Sequence, residues 1–376
     1  MRQLCAFYFT VCAAAGILLP FFNLHLKQLD FSDWQIGIVA ALAPLGRVVF
    51  PGFWGAIADR SSRRNLLLAA SCACMALAFG GVLTAKTFAW MIVAVTTVQF
   101  FSTLTGPLVD ASTLEIARRE GFDYGQVRAW GSIGFVVAAL VIGKLLDSFP
   151  TLAGLAAALL CYVAMAGIAL RLPPLPTSPP KPAGERARRR DVLRQPLVAA
   201  LLAASLLNQL AHGVYYNFFT IHLREVGYTP FTIAFLWSFA VAAEVWFIFK
   251  SGALIRRFGA VPLIVISLLA GAVRWGAYAL STSLWVLLLL QPLHALTFGA
   301  FQMSAMHIIH QRFPEELRVS GQSYLTIASW GAGSLIGALA AGWAVHAIGA
   351  SWAYAFCAAI AAGGAALALV GLRERR

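Results

Sequence analysis

A single acidic residue, Glu244, interrupts the apolar stretch SFAVAAEVWFIFK at residues 238–250. A carboxylate in apolar surroundings is unfavourable by several kcal/mol unless it is protonated, paired or hydrated. A carboxylate can accept and release a proton when burial, which favours its neutral form, is balanced by a nearby cation, which favours its charged form. It can also contact a polar ligand. Glu244 is therefore a candidate for either role, and a structural pair between two helices is the alternative interpretation.

Three basic side chains, Arg47, Arg274 and His294, lie in comparable apolar stretches. A guanidinium such as that of Arg47 grips a carboxylate through two parallel hydrogen bonds, which suits an anionic ligand. Histidine titrates near neutral pH, so His294 and Arg274 together are candidates for a proton relay. Structural roles remain open: Arg47 bonded to backbone carbonyls, and Arg274 with His294 as a cross-link between helices.

Two further charges, Asp110 and Arg128, lie near the ends of apolar segments. Arg128 is a candidate counter-charge for Glu244, and Asp110 is its other candidate partner. The alternatives are an arginine that extends to the membrane surface and a helix-end carboxylate in water.

The composition indicates which kind of secondary structure carries these polar residues. The chain has 376 residues, of which 60% are hydrophobic and 11% charged, whereas soluble domains average about 25% charged residues. Apolar runs of about 20 residues, each long enough to cross about 30 Å of hydrocarbon, recur throughout. We predict an all-α membrane protein with twelve spanning helices, at residues 4–26, 34–58, 65–85, 88–112, 126–147, 152–171, 197–221, 230–254, 261–281, 283–308, 320–345 and 350–371.

Charge and cysteine placement narrow the class further. The net charge is +13, but the basic residues lie in alternate short loops, DRSSRR (59–64), ARREGFDYGQVR (117–128), IRRFG (255–259) and QRFPEELR (311–318). This distribution follows the positive-inside rule rather than a nucleic-acid surface, and it predicts cytoplasmic termini in a bacterial cytoplasmic membrane. The six cysteines lie inside apolar segments without metal-ligand spacing, so we expect no metal site.

The chain also repeats itself. Residues 31–60 match residues 228–257 at an offset of 197, which places Arg47 at the position equivalent to Glu244. Proline and charge exclude residues 172–196 from the membrane, so we predict a cytoplasmic linker between two six-helix bundles, 1–171 and 197–376. Two parallel halves of this kind are the plan of a secondary transporter, which binds its solute at the midplane.

The segment GFWGAIADRSSRR (52–64) resembles the signature loop of the major facilitator superfamily. The resemblance implies a gating role, rather than contact with the solute, for its glycine and its charged residues: Gly55, Asp59, Arg60, Arg63 and Arg64. Within the superfamily the chain is similar to the phenylpropionate permease group, a relative of lactose/proton permease and the nucleoside/proton symporters. The segments that carry this similarity include YGQVRAWGSIGF (124–135), AEVWFIFKSGALIRRFG (243–259) and QPLHALTFGAFQMSAMH (291–307).

The resemblance to lactose permease implies roles for individual residues. The substrate-binding positions fall on Asp110, Arg128, Phe135 and Glu244. Arg47 is a further substrate-binding candidate because it lies in the middle of a span. The proton-coupling positions fall on Arg274 and His294, and Glu244 is the leading carboxylate for coupling. This chain departs from the permease in having Thr297, Gln291 and His212 where the permease has charged residues, and in having Arg47 where it has an uncharged one. These departures argue against lactose as the solute and against an identical proton route.

These observations predict a proton-coupled symporter that imports a small organic solute by alternating access, with an aromatic carboxylate as the favoured solute. Import of a sugar or nucleoside, proton-coupled efflux and a non-transporting sensor are the alternatives. No nucleophile–base arrangement or phosphate loop indicates an enzyme. We expect no cofactor beyond the proton gradient, and as partners only the solute, protons and lipid around a monomer.

Overall fold

The computed structural model describes residues 1–175 and 192–372, and their regular structure is helical throughout. The first seven helices are α1 (Arg2–Gln28), α2 (Asp33–Val49), α3 (Pro51–Arg60), α4 (Arg64–Thr84), α5 (Phe88–Glu120), α6 (Tyr124–Leu146) and α7 (Thr151–Ala169). The later ones are α8 (Pro196–Ala211), α9 (Gly213–Glu225), α10 (Pro230–Phe258), α11 (Ala260–Leu280), α12 (Leu284–Leu290), α13 (Phe301–Arg312), α14 (Arg318–Thr326) and α15 (Ser334–Gly371).

The described residues form two compact units. The first contains residues 1–175 and Leu223–Ser238, and the second contains residues 192–222 and 239–372. The domain limits 1–171 and 197–376 stay a prediction, and most of the predicted linker, residues 176–191, lies outside the described residues.

Ten helical stretches within the described residues are long and apolar enough to cross a bilayer, or eleven if α2 and α3 are counted as one bent span. The bend between α2 and α3 is 46° and falls before Pro51, which has no backbone N–H to continue the hydrogen-bond ladder. The longest stretch, Arg318–Gly371, has 54 residues. Its backbone leaves the helical conformation at Gly349 (φ 80°, ψ 163°), at the boundary predicted between the last two spans.

Helix boundaries follow local sequence signals. Ser32 begins α2 with a capping box, in which its hydroxyl accepts from the Gln35 N–H and the Gln35 side chain accepts from the Ser32 N–H. Gly121 ends α5 in the left-handed conformation (φ 73°), which glycine adopts without a steric penalty. Asp123 then caps α6 by accepting from the Gly125 N–H at 2.8 Å.

In the first unit, α1 and α6 cross at two glycines. A Cβ added to Gly16 would collide with the backbone of Phe135, and one added to Gly134 would collide with the backbone of Phe9. The absence of side chains therefore lets the two backbones approach closely, as small residues do at membrane helix interfaces.

The second unit contains a matching contact between α9 and α15. A Cβ on Gly213 would collide with the backbone of Gly337. Gly16 and Gly213 are 197 residues apart, the same offset as the internal repeat. The repeat thus preserves the close helix crossing as well as the sequence pattern.

Two π-helical segments lie in the second unit, Ala295–Ala300 before α13 and Ile327–Gly333 between α14 and α15. A 3₁₀ turn, Gln291–Leu293, precedes the first segment. Single π-helical turns are uncommon and often mark functional sites. The predicted span 283–308 is therefore one continuous path through the unit, but it is not a uniform α-helix.

Candidate solute and proton sites

The candidate residues gather in two polar clusters, one in each unit. The first cluster consists of Tyr8 and Cys12 from α1, Asp110 from α5, and Tyr124 and Arg128 from α6. The Tyr8 hydroxyl donates to Asp110 Oδ1 at 2.5 Å, and the Tyr124 hydroxyl donates to the same oxygen at 3.3 Å. Tyr8 is buried, whereas Asp110 is exposed. Two phenols thus orient a carboxylate that stays accessible.

Arg128 lies beside this carboxylate but contacts other groups. Its Nη1 donates to Cys12 Sγ at 3.9 Å, and its guanidinium carbon lies 5.5 Å from the centre of the Tyr8 ring. In the described part of the chain no N–O distance of 4.0 Å or less joins Arg128 to Asp110. A thiol is a weak acceptor, so the exposed guanidinium retains most of its capacity to bind a carboxylate or a hydroxyl.

Two other predicted solute residues of the first unit occupy different surroundings. Phe135 is buried with its backbone against Gly16, at the crossing of α1 and α6. Arg47 lies exposed in the last turn of α2, just before the 46° bend.

The second cluster is organised around Arg274 of α11, which is fully buried. Its Nη2 donates to Gln291 Oε1 at 2.6 Å, and its guanidinium carbon lies 4.4 Å and 4.7 Å from the ring centres of Tyr215 and Trp275. The Tyr278 hydroxyl donates to the same Gln291 oxygen at 3.3 Å. Aromatic faces and a neutral oxygen therefore stabilise this charge within the unit.

Arg274 also determines the protonation pattern of His294. Arg274 Nη1 lies 3.1 Å from His294 Nδ1. Because a guanidinium has only donors, Nδ1 must be the acceptor. A neutral His294 in this arrangement therefore carries its proton on Nε2.

His294 Nε2 points to Glu244, whose Oε2 lies 3.6 Å away. The His294 side chain is 5% exposed and that of Glu244 is 18% exposed. Arg274, His294 and Glu244 thus form a chain in which a cation fixes a neutral imidazole, and the imidazole presents its N–H to a carboxylate. The structure brings together all three residues for which the sequence predicts proton coupling.

Residues that replace the permease's charges form a second chain beside the first. His212 Nδ1 donates to the Asn208 carbonyl at 2.7 Å, and His212 Nε2 lies 3.3 Å from the Thr297 hydroxyl. Asn208 Nδ2 donates to the Thr297 carbonyl at 3.1 Å. Thr297 lies in the first π-helical segment, where the wider turn weakens the usual backbone pairing. All three side chains are buried.

The signature loop lies at the junction of α3 and α4. The Arg64 side chain is 4% exposed; its Nη2 lies 3.7 Å from Asp59 Oδ1 and its Nε donates to the Ala58 carbonyl at 3.2 Å. Arg60 and Arg63 are exposed. A Cβ on Gly55 would meet nothing within 4 Å in the described chain, so close helix approach does not explain this glycine.

The sequence reasoning missed polar members of both clusters, namely Tyr8, Tyr124 and Tyr278. Tyr8 could have been predicted as a cluster member, because a phenol within the apolar run of residues 4–26 needs a hydrogen-bond partner when buried. Among the described residues, no group of three or more histidine, cysteine or acidic side chains is placed to hold a metal ion.

Long apolar helices in two units, each with a polar cluster, define a multi-pass membrane transporter rather than an enzyme. The chain belongs to the MFS_1-like family of the major facilitator superfamily, whose model matches residues 1–356.

Several curated proteins are similar to the chain. It is 33% identical over 342 residues to a probable 3-phenylpropionic acid transporter of Escherichia coli, covering 88% of this chain and 87% of that protein. It is 28% identical to a maltose permease of Geobacillus stearothermophilus, covering 98% and 94%. The crystal structure of the nucleoside transporter NupG superposes with a TM-score of 0.88 at 17% identity and covers 100% of this chain and 99% of that one. At that identity the likeness shows the fold.

Proposed function

We propose that this protein is a proton-coupled symporter that imports a small aromatic carboxylate across a bacterial cytoplasmic membrane by alternating access. The observation that carries the proposal is the contact chain Arg274–His294–Glu244, in which Arg274 and His294 are buried. The similarity to a probable 3-phenylpropionic acid transporter supports the choice of solute. Twelve spans, cytoplasmic termini and a monomeric state belong to the same proposal.

The proton step follows from the charges of this chain. In the three-residue contact chain Arg274 is the cation and Glu244 is the anion, while His294 is neutral because Arg274 occupies Nδ1. When Glu244 takes a proton, the three-residue chain changes from neutral to positive. A positive cluster attracts an anionic solute, so protonation would precede and favour solute binding.

The solute step uses the accessible guanidinium groups. Arg47 and Arg128 are both exposed side chains in apolar helices, and either can hold a carboxylate through two hydrogen bonds. Protonation of Glu244 then couples to solute binding as two ligands of one conformational equilibrium. Release of both on the cytoplasmic side completes import.

Uptake by proteoliposomes that contain the Glu244→Gln variant tests the proposal. A glutamine oxygen can still accept from His294 Nε2, but it cannot carry a proton. We expect accumulation of 3-phenylpropionate driven by an inward proton gradient to fall by at least about tenfold, while exchange of solute across the membrane without a gradient continues. Glu115→Gln is the matched control, because Glu115 pairs with Arg119 at 2.7 Å on an exposed helix face. Unchanged accumulation in Glu244→Gln would contradict the proton role.

Import of a sugar or a nucleoside is the second candidate. The similarities to a maltose permease and to a xanthosine permease of Escherichia coli favour it. In that case Asp110, Arg128 and Glu244 would bind hydroxyl groups instead of a carboxylate. Competition separates the two: benzoate and cinnamate should inhibit uptake of an acidic solute, whereas only maltose or nucleosides should inhibit the alternative.

A further inference from the structure

Four aromatic rings in the second unit contact one another in a closed ring of neighbours. They lie beside the contact chain of Arg274, His294 and Glu244, which we call the proton chain. His294 stacks on Phe298 (centroids 5.6 Å apart, planes 7° apart), and Phe298 meets Trp330 edge-on at 5.4 Å. Trp330 lies 6.3 Å from Tyr216, and Tyr216 lies 6.3 Å from His294. We call these four residues the aromatic collar.

Two of the four collar rings come from the two π-helical segments. Phe298 comes from Ala295–Ala300 and Trp330 from Ile327–Gly333. A π-helical turn adds a residue and rotates the side chains that follow it. Two such turns placing rings in one cluster indicate a specific requirement for the positions of these rings.

Asn208 holds the first π-helical segment in place. Its Nδ2 donates to the Thr297 carbonyl at 3.1 Å, immediately before Phe298. Gly299, the next residue, lies against Glu244: a Cβ there would be 3.4 Å from Glu244 Cγ. Asn208 thus bonds to the segment, and the Glu244 side chain packs close to it.

The collar borders the polar side chains of the second cluster. Tyr216, Phe298 and Trp330 are half-buried, so part of each ring surface is accessible. Their neighbours are the nearly buried pair His294 and Glu244, which hydrocarbon would destabilise. Accessible ring faces next to such a pair favour a planar ligand that can stack or pack edge-on.

We propose that the aromatic collar is the subsite for a planar ring of the transported solute, and that Asn208 is the positioning residue that fixes its geometry. The inference rests on the proposed transport function and deepens it by assigning ring recognition to Tyr216, Phe298 and Trp330. The subsite distinguishes flat from puckered rings, since only a flat ring can lie against the collar over its full face.

The test is calorimetric binding to the full-length protein in lipid nanodiscs, with 3-phenylpropionate and its saturated analogue 3-cyclohexylpropionate as probes. We expect the planar acid to bind about tenfold more tightly than the saturated one. Phe298→Leu and Trp330→Leu should remove most of this preference. Trp343→Leu is the control, because Trp343 is 58% exposed on α15 outside the collar, and it should keep the preference.

Asn208→Asp tests the positioning role, since it keeps the side-chain volume but replaces the donating amide with an acceptor. We expect the planar preference to fall at least threefold while the affinity for the saturated acid changes less. A merely structural role would weaken both probes equally. Thermal unfolding measured on the same samples identifies any variant that fails to fold. Tyr216→Leu, at a half-buried collar residue, is then measured in place of that variant.

The outcomes separate this inference from the proposed function. Equal binding of both acids, or a preference that survives Phe298→Leu and Trp330→Leu, overturns the collar but leaves transport of an acid intact. Binding of maltose without binding of either acid overturns both the collar and the proposed solute. Tetramethylammonium binding that the collar variants abolish overturns the planar-ring assignment in favour of a cation.

Discussion

The two polar clusters use arginine in opposite ways. Arg274 is fully buried, and its hydrogen bonds and ring contacts hold it in one arrangement. Arg128 is exposed, with a thiol as the acceptor of its Nη1 and a single ring at 5.5 Å. Both lie in apolar helices of similar sequence character. Burial therefore separates a charge that organises a site from a charge that is available to a ligand.

The carboxylates differ in the same direction. Asp110 accepts from two tyrosine hydroxyls and is exposed, whereas Glu244 has an 18% exposed side chain that faces the N–H of His294. A carboxylate fixed by phenols is a stable hydrogen-bond acceptor. One next to an imidazole of fixed tautomer is suited to gain and lose a proton.

The largest effect should come from Arg274→Leu. This change removes one donor to Gln291, which keeps the Tyr278 hydroxyl, and leaves His294 Nδ1 without its donor in a buried site. We expect a loss of about 3–5 kcal/mol in the free energy of unfolding, as for other broken buried charge networks. Denaturant unfolding in detergent measures it.

Arg119→Ala is the matched control for this substitution. Arg119 is 66% exposed and pairs with Glu115 one helical turn away, so its loss should change stability by about 0.5 kcal/mol or less. Similar losses in both variants would mean that Arg274 does not organise the second cluster.

The glycine crossings should give an intermediate effect. Gly213→Ala places a Cβ against the Gly337 backbone, and overpacking of this kind destabilises by about 1–3 kcal/mol. Gly363 lies in α15, as Gly337 does, but a Cβ added to Gly363 would meet nothing within 4 Å. Gly363→Ala should therefore be neutral or stabilising by up to about 1 kcal/mol. Melting temperatures of the two variants should therefore shift in different directions. Equal shifts would contradict a close crossing at Gly213.

The sequence predicted the membrane class, and the structure brings together Glu244, Arg274 and His294, whose role in proton coupling stays a prediction. Glu244 was singled out because a charge in an apolar run is unfavourable without a partner, and this argument needs no tertiary structure. Arg274 and His294 were singled out mainly by the resemblance to lactose permease. The π-helical segments could not be predicted, because one extra residue in an apolar helix leaves composition and hydropathy unchanged. The observed contacts of Arg128 with Cys12 and Tyr8 also could not be predicted, because they depend on which helix faces α6.

The smallest effect should separate the two tyrosines that bind Asp110. Tyr8→Phe removes the 2.5 Å hydrogen bond of a buried phenol, whereas Tyr124→Phe removes a 3.3 Å hydrogen bond at a more exposed one. We expect losses of about 1 kcal/mol and about 0.5 kcal/mol or less in the free energy of unfolding, since burial and a shorter distance strengthen a hydrogen bond.

The same pair of variants tests the comparison of the clusters. If Asp110 is held for a ligand, Tyr8→Phe should weaken solute binding several-fold and leave its dependence on pH unchanged, because the proposed proton step lies in the second cluster. A shift of the pH profile in Tyr8→Phe would instead assign proton coupling to Asp110, and the division of roles between an accessible and a buried cluster would then be wrong.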